Sequence, residues 1–180
     1  MKDPDLKRIL DFIRPSFRSV AFSGGFCLVL GLIFLIIGGE RGVDGALLVM
    51  LTSAAVLAIP AWKEWSPYFR ALGELRGFRD DPAMFKAIVK DFDTAPTAFS
   101  GDVRVGALYL FGRGSGAMIK REIGCRVVSG KLFYKGGWCW RVAVKREDGL
   151  AEMLLDLDRD KYPEDYVKAW AERCNELLNE

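Results

Sequence analysis

Residues 19–39, SVAFSGGFCLVLGLIFLIIGG, run without a single charge, and after five residues a second uncharged run covers 45–62. As helices rising about 1.5 Å per residue these would reach roughly 31 Å and 27 Å, against a bilayer hydrocarbon core of about 30 Å. The first holds twelve Val, Leu, Ile or Phe residues, each favouring the bilayer centre by about 0.3–0.6 kcal/mol. Neither run carries the polar stripe that long helices of water-soluble domains show. The link Glu40-Arg41-Gly42-Val43-Asp44 is short enough to bring the second run back antiparallel. The expectation is a transmembrane helical hairpin over 19–62 (spans 19–39 and 45–62), with Ala21/Gly25 and Ala54/Ala58 as small residues where the helices meet. Lys2, Lys7, Arg8, Arg14 and Arg18 precede it and Lys63, Arg70, Arg76 and Arg79 follow it. Such flanks predict a multi-pass protein of the cell (inner) membrane with both termini cytoplasmic. No charge lies inside either run, which argues against an ion pathway.

Around that hairpin the chain divides into a lead (1–18), a juxtamembrane linker or helix (63–79) and a cytoplasmic domain (80–180). The lead reads as an amphipathic helix: Asp3 caps, Pro4 suits the first position, and Leu6, Ile9, Leu10, Ile13 and Phe17 recur at helical spacing. Its basic residues are expected against anionic headgroups or as a topology signal. Trp62, Trp65, Tyr68 and Phe69 cluster where the chain would leave lipid, the place of membrane-interface anchors. Ser66-Pro67 restarts a helix that ends near Gly77.

Asp81 and Pro82 open an amphipathic helix with Met84, Phe85, Ile88, Val89 and Phe92 on one face and Lys86, Lys90 and Asp91 elsewhere. From Val103 the period becomes two. Val105, Ala107, Tyr109 and Phe111 alternate with Arg104, Gly106, Leu108 and Leu110 in one run, and Gly112-Arg113-Gly114-Ser115-Gly116 turns the chain into Ala117-Met118-Ile119. Further strands are expected over 125–129, turning at Gly130-Lys131 into 132–135. Beyond Gly136-Gly137, Trp138, Trp140, Val142 and Val144 share a face, and Glu147-Asp148-Gly149 makes a hairpin into 151–157. Five or six antiparallel strands result. A helix opening at Pro163, with Val167, Trp170, Cys174 and Leu177 as its seam, closes the chain.

The chemistry available is limited. The chain has no histidine, which removes Ser-His and Cys-His nucleophiles and His-containing zinc sites. Its four cysteines, Cys27, Cys125, Cys139 and Cys174, show no metal spacing. The GRGSG stretch lacks the Lys-Ser/Thr of a phosphate-binding loop and reads as a hairpin turn. Asp156, Asp158 and Asp160 lack the glycine and glutamate of a calcium loop. No metal or cofactor is implied, and no catalytic residue is assigned.

Charge is uneven. Residues 113–146 hold nine bases and one acid, whereas 147–180 hold eleven acids and four bases. The basic residues Arg113, Lys120, Arg121, Arg126, Lys131, Lys135, Arg141 and Lys145 are candidate contacts to anionic lipid or to a partner. Nucleic acid is not expected for a chain tethered to a bilayer.

Residues 106–123, GALYLFGRGSGAMIKREI, together with the hairpin and the final helix, resemble small bacterial two-span membrane proteins with a pleckstrin-homology-like cytoplasmic domain, the YcxB-like group. The resemblance implies an α+β membrane protein whose spans precede an antiparallel pleckstrin-homology-like half-barrel with a C-terminal capping helix. It further implies that Ile123 plugs the core after the strand bend. No catalytic residue comes with it. The function expected is therefore non-enzymatic binding to a protein partner, to a second copy or to the membrane surface. The rival is a small enzyme or sensor with a ligand pocket, for example Cys125 or Cys139 beside Arg141.

Overall fold

The computed structural model describes residues 3–16, 65–134 and 137–179, and positions 29, 32, 33, 36, 37, 43, 45, 47, 48, 51, 52, 62 and 63. The chain divides into two units, one made of Met1–Pro15 with Pro67–Glu180 and the other of Ser16–Ser66. In the second unit the described positions other than Ser16 are helical. Thr52 Oγ1 donates to Leu48 O there at 2.8 Å.

The membrane expectation is corrected. Among the described residues no helix is long and apolar enough to cross a membrane, whereas a span needs about 20 continuous apolar residues. The structure is α+β, with helices and two antiparallel sheets. The α+β membrane class, the multi-pass placement in an inner membrane and the transmembrane reading therefore do not carry forward. Most of 19–39 and 45–62, including the Ala21/Gly25 and Ala54/Ala58 pairs and Cys27, lies outside the described residues.

The first unit contains α1 (Pro4–Ile13), α2 (65–77, counted in this unit from Pro67), α3 (Pro82–Thr94), seven strands and α4 (Glu164–Asn179). Strands β1 (Thr97–Ala98), β2 (Val103–Val105), β3 (Tyr109–Gly112) and β4 (Met118–Lys120) form one sheet in that order. Strands β5 (Arg126–Tyr134), β6 (Gly137–Lys145) and β7 (Ala151–Asp158) form the other. All ladders are antiparallel. Gly130-Lys131, expected as a turn, lies inside a continuous β5, with Gly130 opposite Arg141 and Lys131 opposite Trp140.

α1 forms as its sequence suggests. Asp3 Oδ1 accepts from Asp5 N at 3.0 Å and Leu6 N at 3.4 Å, which satisfies two of the free amides of the first turn. Its apolar stripe does not face headgroups, however. Leu6, Ile9, Leu10 and Ile13 are fully buried against Ala71 and Leu75 of α2, Ile88 and Phe92 of α3, and Tyr109, Phe111 and Met118 of the first sheet. Each such burial favours the folded state by about 1.5–3 kcal/mol. The tail of α1 is stitched to the β3–β4 turn, where Gly114 N and Gly116 N donate to Phe12 O and Ile13 O at 2.9 and 2.6 Å. Tyr68, expected as an interface anchor, packs into this same cluster. Its backbone leaves no room for a Cβ at Gly116, whose φ is +75°.

A second core lies between the sheets and α4. It joins Val103, Val105, Leu110 and Ile119 of the first sheet to Val127, Trp140, Val142, Val144 and Leu154 of the second, and to Val167 and Cys174 of α4. All four residues of β3 are buried, because the strand serves both cores.

The stretch read as one alternating strand over 103–111 is in fact two strands with a reversal at 106–108. Asp91, expected on the polar side of α3, makes that reversal. It is only 7% exposed, and its carboxylate accepts from Ala107 N (2.6 Å), Leu108 N (3.1 Å) and Tyr109 N (3.0 Å). A Cβ at Gly106 would run into that carboxylate.

Asp91→Ala leaves three amides of the turn without their acceptor, so it should cost about 2–4 kcal/mol. The readout is the urea midpoint, and a loss under about 0.5 kcal/mol, the range of ordinary surface substitutions, would contradict this role. Ile9→Ala should likewise cost about 2–4 kcal/mol as a core truncation, whereas a helix lying outside the domain would tolerate it without measurable change.

Candidate binding surface

The eight cations singled out in the sequence are not gathered into one patch. Arg113, at the β3–β4 turn, lies 3.4 Å from Asp102 Oδ1, donates to Gly101 O and covers the Phe12 ring. Arg121 donates to Gly106 O and to Leu178 O near the end of α4, where a cation also complements the helix dipole. Lys131 pairs with Glu164 at 2.8 Å. Arg141 makes a two-pronged pair with Asp156, at 2.9 and 2.8 Å. Lys135 lies outside the described residues. Lys120, Arg126 and Lys145 make no ion pair among the described residues.

Two of those three face each other, since the β5–β6 register sets Arg126 directly opposite Lys145. The connecting loop between Lys120 and Arg126 carries Ile123, which is 98% exposed. The expected core plug is thus corrected. With Arg121 reaching back to Leu178 O and Gly106 O, the loop turns outward and its apolar side chain is left in solvent. The β6–β7 turn lies beside this loop: Arg146 is 3.6 Å from Glu122, and the Glu147 side chain packs on Gly124. Leu150 on that turn is also exposed. Sequence reading missed this end of the molecule because nothing local distinguishes an outward Ile123 from an inward one.

At the opposite end of the second sheet, Phe133 and Trp138 pair across β5 and β6, with ring centroids 5.5 Å apart and edge to face. Trp138 shares a strand face with Trp140, as the alternation predicts. Trp140 is buried, with Nε1 donating to Tyr162 O, whereas Trp138 lies past the reach of α4 and is exposed.

α4 is held by side chains along its length. Glu164 bridges Lys131 and Lys168 at 2.8 Å each. Tyr166 Oη and Ser100 Oγ are 2.8 Å apart, which steadies a turn where Phe99 and Ser100 both adopt left-handed backbone (φ 50° and 55°). Asn175 Oδ1 accepts from Val127 N at 2.7 Å while its Nδ2 donates to Val127 O at 2.9 Å. The helix thereby covers part of the free edge of β5, the device that keeps edge strands from pairing with other chains.

Among the thiols, burial pushes Cys174 up to about 12. Burial also raises Cys139, helped by Asp156 and opposed by Arg141. Arg141 is committed to Asp156, and Cys139 is not activated as a thiolate nucleophile would be. On α2, burial raises the carboxyl of Glu74 beside Arg70, which itself pairs with Glu152 at 2.6 Å. Among the described residues no group of three Cys, Asp or Glu side chains is placed to hold a metal. Asp158 and Asp160 are turn residues, the first accepting from the amide of the second. Of the other expected interface anchors, Trp62 and Phe69 are exposed and Trp65 is half-buried.

Compared with known proteins, the chain matches no family model, no curated protein and no solved structure.

Hydrogen bonds from Lys131 and then Lys168 hold the Glu164 carboxyl at about 2, below its ordinary 4.5. A carboxylate depressed in this way supports the fold fully above about pH 4.5 and loses that support as pH falls toward 2. Carbon-detected NMR titration should give Glu164 a midpoint near 2 in the wild type and about one unit or more higher in Lys131→Met. An ordinary midpoint in the wild type would refute the bridge.

Proposed function

We propose that this chain is a non-enzymatic binding module of pleckstrin-homology-like architecture, and that its β4–β5 end docks on an anionic, phosphate-bearing surface of lipid headgroups. Four strands, then three, then a helix across the open side support the architectural part of this reading. The single observation that carries the binding part is the juxtaposition of Arg126 and Lys145, neither of them in an ion pair among the described residues. Like charges directly opposite in a ladder repel, and an anion between them relieves that repulsion. Ile123 supplies the apolar complement, projecting from a loop flanked in sequence by Lys120 and Arg126. A fully exposed aliphatic tip on a loop that begins and ends with a cation fits the boundary between headgroups and acyl chains.

The test is sedimentation of the full protein with phosphatidylcholine vesicles, with and without phosphatidylserine, at low and high salt. Binding should require the anionic lipid and weaken with salt, each cation adding about 1 kcal/mol near the surface. Removing both in Arg126→Gln/Lys145→Gln should weaken binding roughly thirtyfold, and Ile123→Ser should weaken it further. Inorganic phosphate as competitor separates a soluble phosphate site, which it would empty, from a headgroup surface, which it would affect only as salt does. Salt-insensitive binding, or binding unchanged in the double variant, would overturn the proposal.

A further inference from the structure

We infer that Glu147, lying against Gly124, is a positioning residue: it holds the β4–β5 turn so that Ile123 stands clear of the molecule, poised to enter a lipid surface. The inference rests on the headgroup-docking reading above and adds to it a residue that acts through Ile123.

An aliphatic side chain that is 98% exposed gains by turning back onto an apolar surface, and the second core begins close by in sequence, with Cys125 packed against it and Val127 buried in it. Turn geometry holds Ile123 away. Cys125 N donates to Glu122 O at 3.2 Å, which makes Ile123 and Gly124 the central pair of a β-turn. Gly124 has φ +76°, whereas Ile123 is not among the residues of positive φ. That is the pattern of a type II turn, whose second central position calls for glycine.

The turn is then clamped from two sides. On one, Arg121 N donates to Leu108 O at 2.8 Å, and the Arg121 guanidinium reaches Gly106 O and Leu178 O. On the other, the β6–β7 turn supplies Arg146, 3.6 Å from Glu122 and itself fixed by Glu152 at 2.5 Å. It also supplies Glu147, whose Oε1, Cδ and Cγ fill the space that a Cβ at Gly124 would need. Among the described residues Glu147 makes no ion pair, so its side chain serves here by contact with the turn. A carboxylate at this end opposes anionic lipid, so the charge and the packing of Glu147 pull affinity in opposite directions and can be told apart. Holding the tip in its bound geometry beforehand removes an ordering cost from docking. Releasing it lowers affinity by the fraction of molecules still poised.

Two measurements on the full protein test this. Without vesicles, the δ1 methyl of Ile123, assigned by its absence in Ile123→Val, should be broadened by a soluble gadolinium chelate as a solvent-exposed methyl is, and in Gly124→Ala it should lose that exposure or split into two conformers. With phosphatidylserine vesicles, Gly124→Ala should bind about tenfold more weakly, as when one molecule in ten keeps the turn, and with unchanged salt dependence because no charge has changed. The same substitution made in Glu147→Ala should cost at least about threefold less, since the obstruction is gone. Glu147→Gln keeps the contact and loses the charge, so Glu147→Ala should bind more weakly than Glu147→Gln by about threefold or more. Circular dichroism checks folding, and the Glu147 pair decides alone if Gly124→Ala does not fold. An Ile123 methyl unmoved in Gly124→Ala, equal binding by Glu147→Ala and Glu147→Gln, or a Gly124→Ala loss of the same size with and without Glu147 would each overturn the inference. Vesicle binding that ignores Ile123→Ser would defeat the docking reading and this inference with it, whereas a loss in Ile123→Ser beside full binding in Gly124→Ala would defeat this inference alone.

Discussion

A carboxylate taken out of water must find donors, and Asp91 finds three in successive backbone amides at 107–109. Unpaired, such a group would cost several kcal/mol. Paired, it specifies where the chain reverses, in a segment, Gly106-Ala107-Leu108, in which Gly106 alone is a usual turn former. Gly106 is the matching half of the device, because only a residue without a Cβ leaves the carboxylate its place. The reversal sets Val105 opposite Leu110 and Arg104 opposite Phe111. β3 is then the strand from which both cores grow, Tyr109 and Phe111 entering the helical cluster and Leu110 the space between the sheets. Arg104 closes the same corner, donating to Phe92 O at 2.7 Å with its guanidinium 4.4 Å from the Phe92 ring centre.

The helical cluster joins parts of the chain that are distant in sequence. α1 lies before residues 16–66 and the rest of the unit after them, yet α1 supplies four fully buried side chains to the cluster. An amphipathic N-terminal helix with flanking lysines and arginines reads equally well as a headgroup-bound element or as a docked one, since both bury one face. The apolar outer face of the first sheet decides between them here: Tyr109, Phe111 and Met118 need a cover, and α1, α2 and α3 together are that cover.

Electrostatics shows a similar economy. The basic run and the acidic run that follows it suggest two oppositely charged surfaces, but β6 and β7 are antiparallel neighbours, and their pairing sets one run against the other. Arg141 meets Asp156 and Arg146 meets Glu152 at 2.8 and 2.5 Å, while α4 returns Glu164 to Lys131. Exposed pairs of this kind add little stability individually. Their main consequence is subtraction: they remove most of the apparent basic face and leave Lys120, Arg126 and Lys145 without an ion pair among the described residues, the last two directly opposite each other in the β5–β6 ladder.

Local signals were sufficient for much of the first unit. Asp3-Pro4 and Asp81-Pro82 mark helix starts because a short acidic side chain can cap free amides and proline needs none. GRGSG and Glu147-Asp148-Gly149 mark turns because glycine tolerates the positive φ found at Gly114, Gly116 and Gly149. Alternation placed Trp140, Val142 and Val144 on one inward face, and helical spacing placed Val167 and Cys174 in the seam of α4. What the sequence by itself determined is therefore each element whose cause lies within a few residues. The break at 106–108, the inward Asp91, the outward Ile123, the uncovered Trp138 and the choice of which cations remain unpaired were decided only by tertiary structure. Each depends on a group brought from far along the chain: a carboxylate from α3, an arginine gripping the end of α4, a helix that stops one ladder pair too soon. Short-range periodicity records which face of an element is oily, and it carries no information about what arrives to cover that face.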